Sequence, residues 1–476
     1  MRVRRIPGIG TVVAVVMIAA LIWRVPRFVG AYYLNGALQY LQAALRQPPS
    51  NNDDITRAAD SFLDAVKWDA ANAPAVERKI VAVGRDYPAH AAEVHLGQAR
   101  LHSQRDERDR AFEEYGRAIR LAPAYLDDTA YADFYTIAVS RDPSSGEYHY
   151  LLARHLDRLG EPDKVREEFQ WVVRSASSPG LSDSWVGEAY YRLGLYSEDE
   201  GEIEAAVENY EKALGRNERL VDAIARLERL YRQSDEMTKA EELIDRLASL
   251  EPEYRVGEKV SDDWVLLGYD LDEEALEAGP SMDVALYWLP SEQTEIEQPG
   301  WYRAGERWIH VTNIRNLVPN GGFEHDEIRG KRLPTGWPID IYRSPIDTHE
   351  LMIDQRDGEE TTVARLSSSE EHPNTGFSTR DISVKPDGLY LQAGWMRSEE
   401  GGRGCLGRAW YVDGKKDSHN YVAAGMEVDS WSHFAGIAIP PEGGRGCRVS
   451  LLNYKSQGRV YFDDILFFEL EIPGEQ

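Results

Sequence analysis

The sequence predicts a multidomain chain, α first and β second: a transmembrane helix at the N-terminus, an α-solenoid of short repeats, and a C-terminal β-sandwich. Three observations predict it. An uncharged apolar run opens the chain, a helical pattern recurs after 34 residues in its middle, and the apolar period falls from helical spacing to two after Pro252. The 476 residues leave room for two or three domains of roughly 100–200 residues each. Hydrophobic residues at 42% and charged residues at 28% describe a folding chain and not a disordered one. The 81 acids against 54 bases, a net charge of −27, exclude a nucleic-acid partner, which demands basic patches to displace counterions. Two cysteines are too few for a disulfide scaffold or a Cys-rich zinc site.

Residues 6–23 carry no charge. At ~1.5 Å per helical residue they extend roughly 27 Å, near the ~30 Å hydrocarbon thickness of a bilayer. Arg2, Arg4 and Arg5 precede the run and Arg24 and Arg27 follow it, which orients the N-terminus to the cytoplasm and the bulk of the chain outward. A cleaved signal peptide is the competing reading, with Val29-Gly30-Ala31 as a loose cleavage site. Arg24 and Arg27 stand between the apolar core and that site, so the expectation is an uncleaved single-pass anchor within 1–30. The first 30 residues hold five arginines and no acid, so the remainder is strongly acidic and stands off anionic lipid.

From 31 to 254 apolar residues fall at three- and four-residue spacing. Leu193-Gly194 is followed by Ala206, Tyr210 and Ala213, and Leu227, Ala240, Ile244 and Leu247 repeat the spacing, with Tyr231 and Pro252 completing the unit. Leu152, Ala153, Val165, Phe169 and Val172 form a third unit, and Ala111, Tyr115, Ala118 and Pro123 the second half of a fourth. This pattern resembles the tetratricopeptide repeat, a helix-turn-helix unit whose small residues let paired helices approach while an aromatic fills the gap. Glu228 replaces the small residue in one unit and puts that contact in question. Helices at about 31–47, 53–69 and 74–84 fit divergent repeats. The resemblance implies a superhelix with a groove for a protein partner.

After Pro252, 265–272, 282–290 and 301–313 read as three strands of a short β-rich bridge spanning 255–315. The pair of strands resembles a β-sandwich segment appended to bacterial membrane glycosyltransferases and O-antigen-ligase-like proteins. Residues 316–476 then give many short strands punctuated by Gly, Pro, Asp and Ser. NLVPNGGFE (316–324), LPTGWPID (333–340), GLYLQAGWMRS (388–398) and GRVYFDDILFFEL (458–470) resemble the carbohydrate-binding jelly rolls that accompany bacterial polysaccharide enzymes.

A pyranose packs its C–H face on an aromatic ring and needs polar partners at its rim. Trp337, Trp395, Trp410 and Tyr411 are the principal candidates for that platform, with Tyr390, Tyr421, Trp431 and Tyr454 in reserve. The resemblance further implies a structural calcium tying the first strand to the last, through Glu324 and through Asp463 or Asp464. Cys405 and Cys447 each end a GGRGC pentapeptide, and the sequence leaves open whether they bridge.

Catalytic signatures are missing. Gly402–Gly407 satisfies GxGxxG but leads into a strand, where no helix N-terminus receives a pyrophosphate. His90, His95 and His102 do not share a helix face well, and the acidic stretch 197–204 reads as a turn between repeat helices. The expectation is a non-catalytic, membrane-anchored extracytoplasmic scaffold of cell-surface polysaccharide assembly, its repeats holding a protein and its jelly roll a glycan. The alternatives are a polysaccharide-processing enzyme with its site in the β domain, or a pure protein–protein scaffold.

Overall fold

The computed structural model describes residues 91–121, 126–177, 181–271, 281–291, and 296–473 except 297, 319–322, 324, 329–330, 335–336, 338–348, 357, 372–373 and 380–381. The expected anchor, the helices expected between 31 and 84, and His90 lie outside the described residues. No helix among the described residues is long and apolar enough to cross a membrane. The chain divides into two compact units, Met1–Ile119 and Arg120–Gln476.

The first unit holds α1 (Ala91–Gln104) and most of α2 (Arg108–Leu121). Ala99, Leu101, Ala111, Tyr115 and Ala118 are buried. His95 Nδ1 lies 2.6 Å from Glu114 and His102 Nδ1 2.7 Å from Glu107, so each histidine has its own carboxylate.

The second unit begins with α3 (Asp128–Arg141) and three helix pairs: α4 (Gly146–Arg158) with α5 (Pro162–Arg174), α6 (Asp183–Asp199) with α7 (Ile203–Arg216), and α8 (Val221–Gln233) with α9 (Met237–Ser249). Ser145 and Ser182 cap α4 and α6 by accepting from Tyr148 N and Trp185 N. Gly160, Gly201 and Asp235, at φ 71°, 78° and 64°, occupy the turn inside each successive pair, a left-handed conformation that favours Gly and tolerates Asp. Gly194 has the Tyr210 ring against it: a Cβ there would stand 2.5 Å from Tyr210 Cε1. In the next unit Glu228 stands where Gly194 does, and its carboxylate pairs along the helix with Arg232. The α8–α9 contact survives because Ile244, at the position of Tyr210, brings no ring to admit.

Five antiparallel strands follow, ordered β1-β2-β3-β5-β4: β1 (Tyr254–Lys259), β2 (Trp264–Leu271), β3 (Ser281–Pro290), β4 (Trp301–Ala304) and β5 (Arg307–Arg315). The expected bridge of three strands is therefore a five-stranded sheet. Gly305, at φ 67°, folds what reads as one stretch over 301–313 into the β4–β5 hairpin. Both faces are buried. Tyr287, Ala304 and Ile309 share a core with Leu227, Leu243 and Leu247 of the helices. Trp264, Leu266, Met282, Leu286 and Trp288 share another with Leu389, Leu391, Leu466 and Phe468 of the last domain.

That domain holds the β6–β7 hairpin (His325–Ile328, Lys331–Pro334), then β8 (His349–Arg356), β9 (Glu359–Ser367), β10 (Asn374–Ser378), β11 (Ile382–Ser383), β12 (Leu389–Glu399) and β13 (Gly404–Val412). It closes with β14 (Lys415–Met426), β15 (Ser432–Ala438), β16 (Gly444–Tyr454) and β17 (Arg459–Leu470). One sheet runs β10-β16-β13-β14, with β11 also on β16, and the other β15-β12-β17-β9-β8. Numbering β9, β10 and β12–β17 as eight successive strands gives sheet orders 2-7-4-5 and 6-3-8-1, the interleaving of a jelly roll. Trp410, Leu451, Phe462 and Phe467 fill the space between the sheets.

Register decides the cysteines. Cys405 pairs with Leu452 and Cys447 with Trp410, so the two lie five ladder positions apart on neighbouring strands. At ~3.4 Å per residue that is about 17 Å, far beyond the ~4.4–6.8 Å a bridge spans. Both are buried, and no disulfide joins them.

A charged cleft and an aromatic trough

The inner helices α6 and α8 and the sheet β1–β5 share apolar groups and line a cleft of about 910 Å³. Helix α6 contributes Ser184, Glu188, Tyr191 and Arg192, spaced to share one face. The α7–α8 turn and the start of α8 add Asn217, Arg219 and Asp222; the sheet adds Asp270, Asp283, Thr312 and Asn313. Tyr254 of β1 and Trp395 and His433 of the jelly roll close one end. A further pocket of about 200 Å³ shares Glu188, Arg192, Asp283 and Asn313 and adds Arg154, Asp157 and Arg158. The groove of the last repeats is thus faced by the chain's own sheet.

The charges here are matched. Asp283 accepts from Asn313 Nδ2 at 2.8 Å and lies 3.6 Å from both Arg154 and Arg192. Burial pushes the Asp283 carboxyl up, but the two guanidiniums outweigh it and hold it below the usual range. Arg192 also reaches Asp157 at 3.1 Å and Glu188 at 3.4 Å. Arg219 donates to Asp270 at 2.6 Å, and Tyr287 donates to the same carboxylate at 2.7 Å. Asp222 accepts from Tyr302; burial nonetheless raises its pKa to about 6.

At the jelly-roll end, Trp395 rests on a built support. The Arg356 guanidinium lies 5.0 Å from its ring centroid and reaches Asp463 at 2.7 Å and Asp464 at 2.6 Å. The ladder between β12 and β17 slips at this point, and Asp464 adopts φ 43°. This bulge brings consecutive carboxylates to one guanidinium, where a regular strand would send them to opposite faces. Thr361 donates to Asp463 at 2.9 Å. Burial and the adjacent Asp464 push the Asp463 carboxyl up, and Arg356 opposes them. Tyr254 and His433 meet the Trp395 edge, and the Tyr269 hydroxyl lies 2.9 Å from His433 Nε2. Burial, then Arg356, lower the His433 pKa to about 4.

The outer face of the β10-β16-β13-β14 sheet carries a second feature. Leu406 and Trp410 point into the core, so Gly407, Ala409 and Tyr411 face outward. Register sets Tyr421 beside Gly407, and His419 and Arg448 on either side of Ala409. A Cβ on Gly407 would stand 2.7 Å from Tyr421 Cδ1, so glycine lets that ring lie against the strand. His419 stacks on Tyr421 at 4.6 Å, and the Arg448 guanidinium lies 4.9 Å from the Tyr411 centroid. The result is a shallow trough with a small-residue floor, in which Tyr421 is 40% exposed.

The residues expected to form one platform are thus divided. Trp395 lines the cleft and Tyr411 the trough, whereas Trp410 and Trp337 are core residues, 1% and 3% exposed, and present no ring to solvent. Trp410 alternates inward with Leu406, and Trp337 packs against Phe323. Of the expected calcium ligands, Asp463 and Asp464 hold Arg356, and Glu324 lies outside the described residues. Among the described residues no group of three or more His, Cys, Asp or Glu is placed to hold a metal. The cleft residues Arg192, Asp222 and Asp283 carry no local sequence signature; Gly407 inside a strand was the available hint for the trough.

Residues 187–219 match the tetratricopeptide repeat, the stretch that contains Gly194 and Tyr210. No curated protein matches the chain. Among solved structures, the chain is similar to the enzymatically active domain of tailspike protein 4 of bacteriophage CBA120, at 12% identity over 33% of this chain and 21% of that one, TM-score 0.27. It is similar to a family 16 carbohydrate-binding module at 17% identity over 33% of this chain and all of that one, TM-score 0.25. Pilf of Pseudomonas aeruginosa is 16% identical over 46% of this chain and 76% of that one, TM-score 0.21. All three scores are low, and the jelly roll is assigned on its strand order.

Proposed function

We propose that the chain is a non-catalytic scaffold, anchored in the membrane by residues 1–30 and working outside the cytoplasm in cell-surface polysaccharide assembly. The helical repeats hold a protein partner and the jelly roll recognises glycan. The aromatic trough supports the glycan half: Tyr411, His419 and the part-exposed Tyr421 gather ring surface on one sheet face, with Arg448 as a donor beside them. With the inner faces of α6 and α8 turned toward the sheet, the protein partner is assigned to the remaining surface of the repeats.

Absence of catalysis is supported by how the cleft carboxylates are engaged. Glycoside hydrolysis needs one carboxyl free to deliver a proton and another open to the anomeric carbon. Asp283, Asp270 and Glu188 are bound to guanidiniums. The test is glycan-array binding by the full chain in detergent, with Tyr421→Ala and Tyr411→Ala beside it. Saccharide binding that weakens in both variants is the expected result; a wild-type chain that captures no glycan removes this half of the reading.

A further inference from the structure

We infer that the charged cleft is a second ligand site, distinct from the trough, and that its ligand is a short neutral oligosaccharide. Size is the first argument: about 910 Å³ is the upper range of a small-molecule site and far too little for a folded partner. Charge is the second. The cleft and its side pocket are lined by the carboxylates Asp157, Glu188, Asp222, Glu253, Asp270 and Asp283 and the guanidiniums of Arg154, Arg158, Arg192, Arg219 and Arg255. On a chain of net charge −27 this is a nearly balanced surface, and the ion pairs inside it cancel the field that would attract an ion.

What such a surface offers is dense donors and acceptors in fixed positions. A polyol matches it, because each hydroxyl donates to a carboxylate while accepting from a guanidinium or from the amides of Asn217 and Asn313. The ring at the end of the cleft is the third argument. Trp395 is half-buried and held by Arg356, which two carboxylates fix in turn, so the indole is oriented before any ligand arrives. Asp222, Asp283 and Asn313 line the same cleft as Trp395.

The experiment is calorimetric titration of the full chain in detergent with a panel of neutral gluco-, galacto- and manno-configured tri- and tetrasaccharides. Inorganic phosphate and a uronic-acid trisaccharide serve as charged probes. Two substitutions attack the cleft differently: Trp395→Ala removes the platform, and Thr312→Trp fills the space without removing any core group. The exposed Ile353→Ser is the unchanged control. At least one neutral member should bind, about tenfold or more weaker in both cleft variants and equally well in the control. Three results overturn the inference: no neutral saccharide binds, only the charged probes bind, or Thr312→Trp binds as the wild type does. In the last case, loss of binding in Tyr421→Ala would leave the trough standing as the glycan site and remove only the cleft.

Discussion

The Tyr210 ring occupies the volume that any side chain on Gly194 would need, with 2.5 Å between its Cε1 and the missing Cβ. Overpacking of this kind costs roughly 1–3 kcal/mol, and the helix propensity gained by replacing Gly recovers at most about 1 kcal/mol. Gly194→Ala should therefore lower the melting temperature. Adding Tyr210→Leu should restore part of the loss, because the smaller side chain leaves room for the new methyl. Additive losses in the double variant would show that the two residues do not compete for space.

Arg356 reaches both Asp463 and Asp464, and Asp463 is fully buried. Arg356→Met should destabilise the jelly roll by about 3–5 kcal/mol, the usual cost of stranding a buried charge. Asp463→Asn in the same chain should recover much of it. Calcium added to the wild type should leave the melt unmoved, since both carboxylates already bind Arg356. A calcium-dependent rise would return those aspartates to an ion.

Two sets of groups give the acid response opposite signs. His155 and His310 are buried and His433 half-buried, each with its pKa lowered to about 4, chiefly by burial. They favour folding above the ordinary histidine value near 6.5, and that contribution is lost as pH falls toward 4. Asp222, raised to about 6, favours folding in its protonated form and loses that contribution as pH rises from about 4 to 6. The histidines outnumber it, so stability should fall on acidification from pH 6.5 to 4. Asp222→Asn should steepen that fall by removing the opposing slope. Thermal melts across the range read both.

Gly407→Val should displace the Tyr421 ring, since a Cβ there meets it at 2.7 Å. Glycan affinity at the trough should drop about as far as in Tyr421→Ala, roughly tenfold for a lost stacking ring. Retained affinity in Gly407→Val would mean that the ring position is not part of recognition.

Cys405 and Cys447 should both react with a thiol reagent after denaturation without reductant, because five ladder positions separate them. Burial also pushes the Cys405 thiol up, so neither should be labelled quickly in the folded chain. A mass two hydrogens short of the free form would contradict the strand register.

The helical repeats and the jelly roll were legible because their signals are local. Gly194, Ala206 and Tyr210 fall within one repeat unit, and the β-rich landmarks between 316 and 470 follow one another along the chain. The bridge was half legible: its length hid a hairpin that one left-handed glycine creates at Gly305. The platform was legible only as composition. Alternation along β13 assigns Tyr411 outward and Trp410 inward, but the sequence does not say which parity faces the core. The cleft was not legible. Arg192, Asp283 and Trp395 come from a helix, a sheet and a sandwich, and each alone reads as a solvated charge or a core ring.

Because the β1–β5 sheet is greasy on both sides, it behaves as a girder and not as a tether. Severing the chain at 315/316 would bare Leu389, Leu391, Leu466, Phe468 and Leu470, so the jelly roll is not a detachable cartridge.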